Sequence, residues 1–164
     1  MHKPLIPRAF FLLLFIVLPC AHAKNLQGRV GCGVAMLDFN HTPALSVRLH
    51  PSTHVSASIV AGFNTESSTN LTAVGVQLRR YTDLEENLNF FIGAQGFLLS
   101  DKAGTPNLST GIELDGILGV EFFFLGISNL GFQFQTGVGV RTLRNFAIKV
   151  VGDGFAGFAF HYYL

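Results

Sequence analysis

Apolar and polar residues alternate with period two through most of the chain after residue 26, and polar or turn-forming segments interrupt that alternation at near-regular intervals. The interruptions predict eight strands, at 27–38, 44–50, 54–63, 71–82, 88–99, 111–124, 130–141 and 153–164. No stretch keeps a helical period long enough to compete. The second strand, between Pro43 and Pro51, is short for a segment that crosses a bilayer, which takes about 9–11 residues. Residues 51–53, 83–87 and 125–129 read as tight turns, whereas 64–70, 100–110 and 142–152 read as longer loops, with only the brief 40–43 departing from the scheme. Short turns on one rim and longer loops on the other is the habit of an outer-membrane barrel.

Alternation alone leaves open which face is wet, because a soluble sandwich has the same period with its apolar side inward. The character of the second face decides between them. In 111–124, Ile112, Leu114, Leu118, Val120, Phe122 and Phe124 oppose Glu113, Asp115, Ile117, Gly119 and Glu121. In 130–141, Phe132, Phe134, Val138 and Val140 oppose glycines, Gln133, Gln135 and Arg141. Elsewhere the second face carries Gly31, Gly33 and Ala35, then Ser56, Ser58 and Gly62, then Gly75, Gln77 and Arg79. A water-facing sheet surface is usually guarded by lysine, yet Lys24, Lys102 and Lys149 all fall outside the predicted strands. Small and amide side chains instead suit the interior of a narrow barrel. Phe39, Phe63, Phe97 and Phe155 lie beside the loop rim, and Tyr81, Phe90, Phe122, Phe124, Phe132 and Tyr162 beside the turn rim, which reads as two aromatic belts without any Trp.

The first 23 residues have the charged, apolar and Ala21-His22-Ala23 regions of a signal peptide. The expected organisation is a leader at 1–23 and one barrel domain at 24–164. A helical anchor would need roughly 20 apolar residues, and the run from Ala9 to Leu18 is about half that; lipidation at Cys20 is a further alternative, disfavoured by Pro19. Cys32 is the one cysteine after the leader, so no internal disulfide is available there. Nine basic residues against ten acidic ones remain, which gives no basis for nucleic-acid binding. A positive mean hydropathy with few charges means that part of this surface needs a solvent other than water.

The strands Leu88-Asn-Phe-Phe-Ile-Gly-Ala-Gln-Gly96, Gly119-Val-Glu-Phe-Phe-Phe124 and Leu130-Gly-Phe-Gln-Phe-Gln-Thr-Gly-Val-Gly-Val140, with a closing strand that sets Phe158, Phe160, Tyr162 and Leu164 on one face, resemble small bacterial outer-membrane β-barrels of the OmpX/OmpA-like porin family. The resemblance covers essentially the whole of 24–164. It implies an eight-stranded antiparallel up-and-down transmembrane barrel in the outer membrane, whose closing strand is read by the assembly machinery. That family usually ends in Phe, where this chain has Leu164.

Strand parity turns Arg29, Arg48, Arg79 and Arg141 inward together with Glu113, Asp115 and Glu121, so the arginines are the expected counter-ions of the acids. A static packing network is favoured over a gated pathway, because eight strands leave an interior that side chains fill. Catalysis would require Ser, His and an acid together at the outer rim. Of His41, His50, His54 and His161, only His41 lies near that rim, beside Asp38 and without a nearby serine; His161 is expected inward. No metal-ligand spacing or phosphate loop is present, and no cofactor is expected. The expected function is therefore that of a filled barrel acting as a structural or surface-interaction protein, not an enzyme. Its partners would be outer-membrane lipid, the assembly machinery and an extracellular ligand of the loops, through residues such as Asn64, Glu66, Asn70, Asp101, Lys102, Arg144 and Asn145. A narrow solute channel and a lipid-modifying enzyme are the alternatives.

Overall fold

Strands whose two faces differ in polarity must bury one of them, and a sheet that closes on itself does so without leaving an edge. The computed structural model describes residues 25–36, 43–66, 69–102, 108–151 and 156–164. The expected leader, His41, Phe39 and Phe155 lie outside these residues. The strands are β1 (Val30–Met36), β2 (Pro43–Ser52), β3 (Val55–Glu66), β4 (Thr69–Leu84), β5 (Leu88–Asp101), β6 (Ser109–Phe123), β7 (Leu130–Arg141), β8 (Ala147–Val151) and β9 (Gly157–Tyr163). Each pairs antiparallel with its predecessor from β1 to β7; β9 joins β7 to β1 and closes the barrel.

The eighth stave is made in two pieces. On β7, Gly137 faces Val151 of β8 and Gln135 faces Gly157 of β9, so two residues of one strand answer six of the other. This corrects the expected loop over 142–152, half of which is strand. Ile148 and Val150 face outward on β8 while Lys149 and Val151 face inward, which is ordinary strand alternation too short to stand out in the sequence. The expected loop at 64–70 is also corrected: β3 runs to Glu66 and β4 starts at Thr69. The long strands β4, with 16 residues, and β6, with 15, raise the wall at the loop rim. The second strand is a full ten residues, bulged between Leu49 and Ser52.

Leu45, Ile59, Leu98 and Val138 are each about two-thirds exposed on the outside, while Arg48, Glu121 and His161 are fully buried within. The wall is thus apolar outward and ionic inward, the inverse of a soluble sandwich and the pattern of a transmembrane barrel. Phe90, Phe122, Phe124, Phe132 and Tyr162 ring the turn rim on the outside, with Phe124 packed edge-on between Phe122 and Phe132. Two members of the expected belts are corrected. Tyr81 and Phe97 are both buried and point inward, because they share strand parity with Arg79 and Gln95.

Pairing follows one hydrogen-bond row from Tyr163 through Gly31, Arg48, Ser58, Gln77, Gln95, Asp115 and Gly139 to Lys149. The row crosses β7 at Gly139, ten residues beyond Asn129, whose carbonyl accepts from Tyr163 N. That displacement is the stagger of tilted strands. It carries the polar row from the turn rim up toward the loop rim.

Candidate functional site: a layered polar lumen

Nearest the turn rim, Glu121 accepts three hydrogen bonds. Arg48 Nη1 donates to its Oε1 at 2.8 Å, Tyr163 Oη to the same oxygen at 2.5 Å, and Tyr81 Oη to Oε2 at 2.9 Å. Arg48 also donates to Tyr163 Oη at 3.0 Å, to Gln133 Oε1 at 2.6 Å and to Ser58 Oγ at 3.1 Å. An ion pair with no exposure is costly unless its remaining lone pairs and protons are used. Here the partners come from β2, β3, β4, β6, β7 and β9, so the knot ties opposite walls across the lumen. The His50 ring stacks on Tyr81 and meets Tyr163 edge-on, which covers the turn-rim side of the knot with aromatic surface.

Above it lies an amide layer. Gln77 Nε2 donates to Gln95 Oε1 and Gln95 Nε2 to Asp115 Oδ2, both at 2.8 Å; Gln133 Nε2 donates to Gln135 Oε1 at 2.7 Å. Amides can donate and accept at once, so they relay polarity from strand to strand without net charge. Arg79 enters this layer through Nη2, donating to Gln77 Oε1 at 2.6 Å and Gln135 Oε1 at 3.2 Å, with its guanidinium 5.0 Å from the Phe91 ring centre.

The third layer is ionic again. Glu113 receives Arg141 Nε at 2.5 Å on Oε2 and the Lys149 ammonium on Oε1, while Lys149 also lies 4.0 Å from Asp115 Oδ1. A Cβ on Gly139 would sit 1.7 Å from Asp115 Oδ1, so only glycine leaves room for that carboxylate. Gly75 similarly makes way for the Phe97 ring, 2.2 Å from where its Cβ would be. Phe97 belongs to an apolar layer with Ala44, Val60, Leu71, Ala73 and Leu99, against which Leu143 packs. At the rim, Arg144 pairs with Asp101 at 3.0 Å.

Of the seven charged residues expected inside, the structure brings Arg48 to Glu121 and Arg141 to Glu113, and sets Asp115 beside Lys149. Two expected counter-ions are corrected. Arg29 is half-buried and its Nη1 donates to Asn129 Oδ1, because position 29 precedes β1 at the turn rim, where Asn129 stands before β7. Arg79 is bonded to amides, because its row neighbours Ser56, Gly93, Ile117 and Gly137 include no acid. Lys149, expected outside the strands, is an interior ligand of Glu113. Tyr163 and Gln95 join the network without having been singled out by residue type, although strand parity places each inward; Gln133, expected on the inner face, and Tyr81, expected in a belt, join it as well. Phe158, Phe160, Tyr162 and Leu164 are all exposed on the outer face of the closing stave.

One contact has the makings of a nucleophilic pair: His161 Nε2 lies 2.9 Å from Ser46 Oγ. Both groups are buried and His161 Nδ1 has no partner, whereas a catalytic dyad needs an orienting group there and an open path to substrate. Among the described residues no three His, Cys, Asp or Glu side chains converge as a metal site.

No protein-family model matches the chain, and comparison with curated proteins finds no match. Among solved structures, the chain is similar to the crystal structure of Neisserial surface protein A (NspA). Identity is 15%, the match covers 82% of this chain and 92% of that one, and the TM-score is 0.47.

Proposed function

We propose that this chain is a bacterial outer-membrane barrel whose role is structural or interactive, exercised at its loop rim, with the interior held shut. The observation that carries this reading is the Arg48–Glu121 knot. Six strands contribute to it, and every oxygen of the Glu121 carboxylate is engaged. A solute would have to break charge-assisted bonds on both walls to pass, which favours a plug over a channel. A Ser–His pair sealed in the wall likewise argues against lipid-modifying catalysis.

In this reading the outer wall meets outer-membrane lipid, and Phe158, Phe160, Tyr162 and Leu164 on the closing stave are what the assembly machinery engages. The surface open to an extracellular ligand is the rim at Lys102, Leu108 and 142–146, with Arg144, Asn145 and the exposed Phe146. The test has two arms. Purified protein in planar bilayers is expected to give no stepwise conductance, and cells whose 102–108 segment is replaced by Gly and Ser are expected to keep the barrel but lose surface binding. Steady ohmic conductance would favour the channel instead. A change in lipid A mass on expression would favour the enzyme.

A further inference from the structure

Among the described residues, five cations stand on strands, and Arg48, Arg79, Arg141 and Lys149 turn inward. The fifth, Arg80, turns outward. It is exposed and lies between Val55 of β3 and Ile92 of β5, both outward apolar residues. Its guanidinium has no ion pair or hydrogen bond with the described residues. A charge on the outside of a transmembrane wall is costly in hydrocarbon and tolerated near an interface, where a long side chain reaches the headgroups. Arg80 stands at that level. The next residue, Tyr81, donates its N–H to the His54 carbonyl in the β2–β3 turn, and β4 ends at Leu84.

Beyond Arg80 the sign of the wall reverses. Arg80 faces Ile92 and Asp83 faces Phe90, with a bulge between Tyr81 and Asp83, so Arg80 and Asp83 share the outer face although three residues separate them. Two residues of β5 part the two rows, which is about 7 Å along the strand. Asp83 is exposed, forms no ion pair with Arg80 and is level with the outward Phe90 of the aromatic belt. Glu85 and Glu86 follow in the β4–β5 turn. On the other side of Arg80, a shallow crevice of about 430 Å³ opens on the outer wall between Val55, Leu78, Arg80 and Ile92. Descending toward the turn rim, the wall is therefore apolar, then cationic, then anionic.

We infer that Arg80 and Asp83 form the headgroup site for one zwitterionic phospholipid of the leaflet at the turn rim. Its phosphate sits on Arg80, its primary ammonium on Asp83, and the start of an acyl chain in the crevice over Val55, Leu78 and Ile92. The order acyl chain, phosphate, ammonium in such a lipid matches the order Leu78, Arg80, Asp83 in the wall, and the guanidinium fork suits phosphate oxygens. A lipid with a glycerol headgroup has the phosphate without the ammonium, and its net negative charge meets Asp83, Glu85 and Glu86. This inference rests on the outer-membrane reading above and adds to it a lipid class and a place.

The experiment is native mass spectrometry of the refolded barrel in non-ionic detergent micelles that carry equal amounts of a phosphatidylethanolamine and a phosphatidylglycerol with the same acyl chains. The wild-type barrel is expected to retain one ethanolamine lipid, about fivefold over the glycerol lipid. Arg80→Gln is expected to lower retention of both about fivefold, and Asp83→Asn to remove most of the preference while keeping the phosphate contact. Asp83 is exposed, so its variant tests the site even where Arg80→Gln fails to fold. Equal retention of the two lipids by the wild-type barrel, retention undiminished in Arg80→Gln, or a preference undiminished in Asp83→Asn would overturn the assignment. An Arg80-dependent dimer in place of bound lipid would overturn it in favour of a second copy of the chain. Gel migration of the same samples separates this inference from the reading beneath it: a heat-modifiable barrel without lipid preference ends the inference alone, whereas a chain that stays soluble without detergent ends the outer-membrane reading as well.

Discussion

At the scale of single residues, the interior is governed by whether each buried ion finds enough partners. Glu121 accepts from Arg48, Tyr163 and Tyr81, and removing it leaves Arg48 buried and uncompensated. Glu121→Ala is therefore expected to cost roughly 3–5 kcal/mol in a denaturant titration of the reconstituted barrel. Val120→Ala, one residue away and on the lipid side, should cost much less because acyl chains fill the space. Tyr163→Phe removes a hydroxyl that accepts from Arg48 and donates to Glu121 while keeping the ring; a loss of about 1.5–3 kcal/mol is expected. Parity makes the inward face legible in the sequence, Arg48, Glu113, Asp115 and Glu121 included. The partners of each charge are not legible there, because they depend on the ten-residue stagger that decides which rows meet. Tyr81 and Phe97 mislead for a different reason: residue type suggests a membrane belt where parity, the stronger rule, turns both rings inward.

At the scale of elements, the eighth stave carries the most information. A Gly152-Asp153-Gly154 turn signal and the shortness of β8 hide a five-residue strand within an expected loop. Its Lys149 holds Glu113 from the far side, so the ion pair pins β8 to the wall at β6. Lys149→Met is expected to speed amide exchange across Ala147–Val151 while leaving β9 amides protected; uniform loss of protection would mean that β8 is not an independent piece. The outward residues of β9 bear on assembly. A chain lacking 160–164 is expected to be lost from the membrane fraction, and Tyr162→Asp to lower its level there, as immunoblots of fractionated cells would show. Normal membrane levels of the truncated chain would rule out this part for β9. The remaining strand boundaries are legible to within a few residues. The hairpin at Glu66–Thr69 is not, because Asn64 and Asn70 look like loop residues although both continue the pairing of β3 with β4.

For the molecule as a whole, the central claim is that a polar, ion-paired interior is wrapped in an apolar wall that lipid covers. Closure by β9 between β7 and β1 leaves no strand edge in that part of the wall, and unboiled protein is accordingly expected to migrate apart from boiled protein on a gel. The most direct measurement uses the absence of Trp from the sequence, which gives any introduced Trp a dark background. Single Trp residues would replace Leu118 and Val138 on the outer wall, or Phe91 and Phe97 inside, and each protein would be reconstituted with lipids brominated on their acyl chains. Strong quenching at 118 and 138 with little at 91 and 97 is the result this structure predicts. Strong quenching at 91 and 97, with water-like emission from 118 and 138, would contradict it.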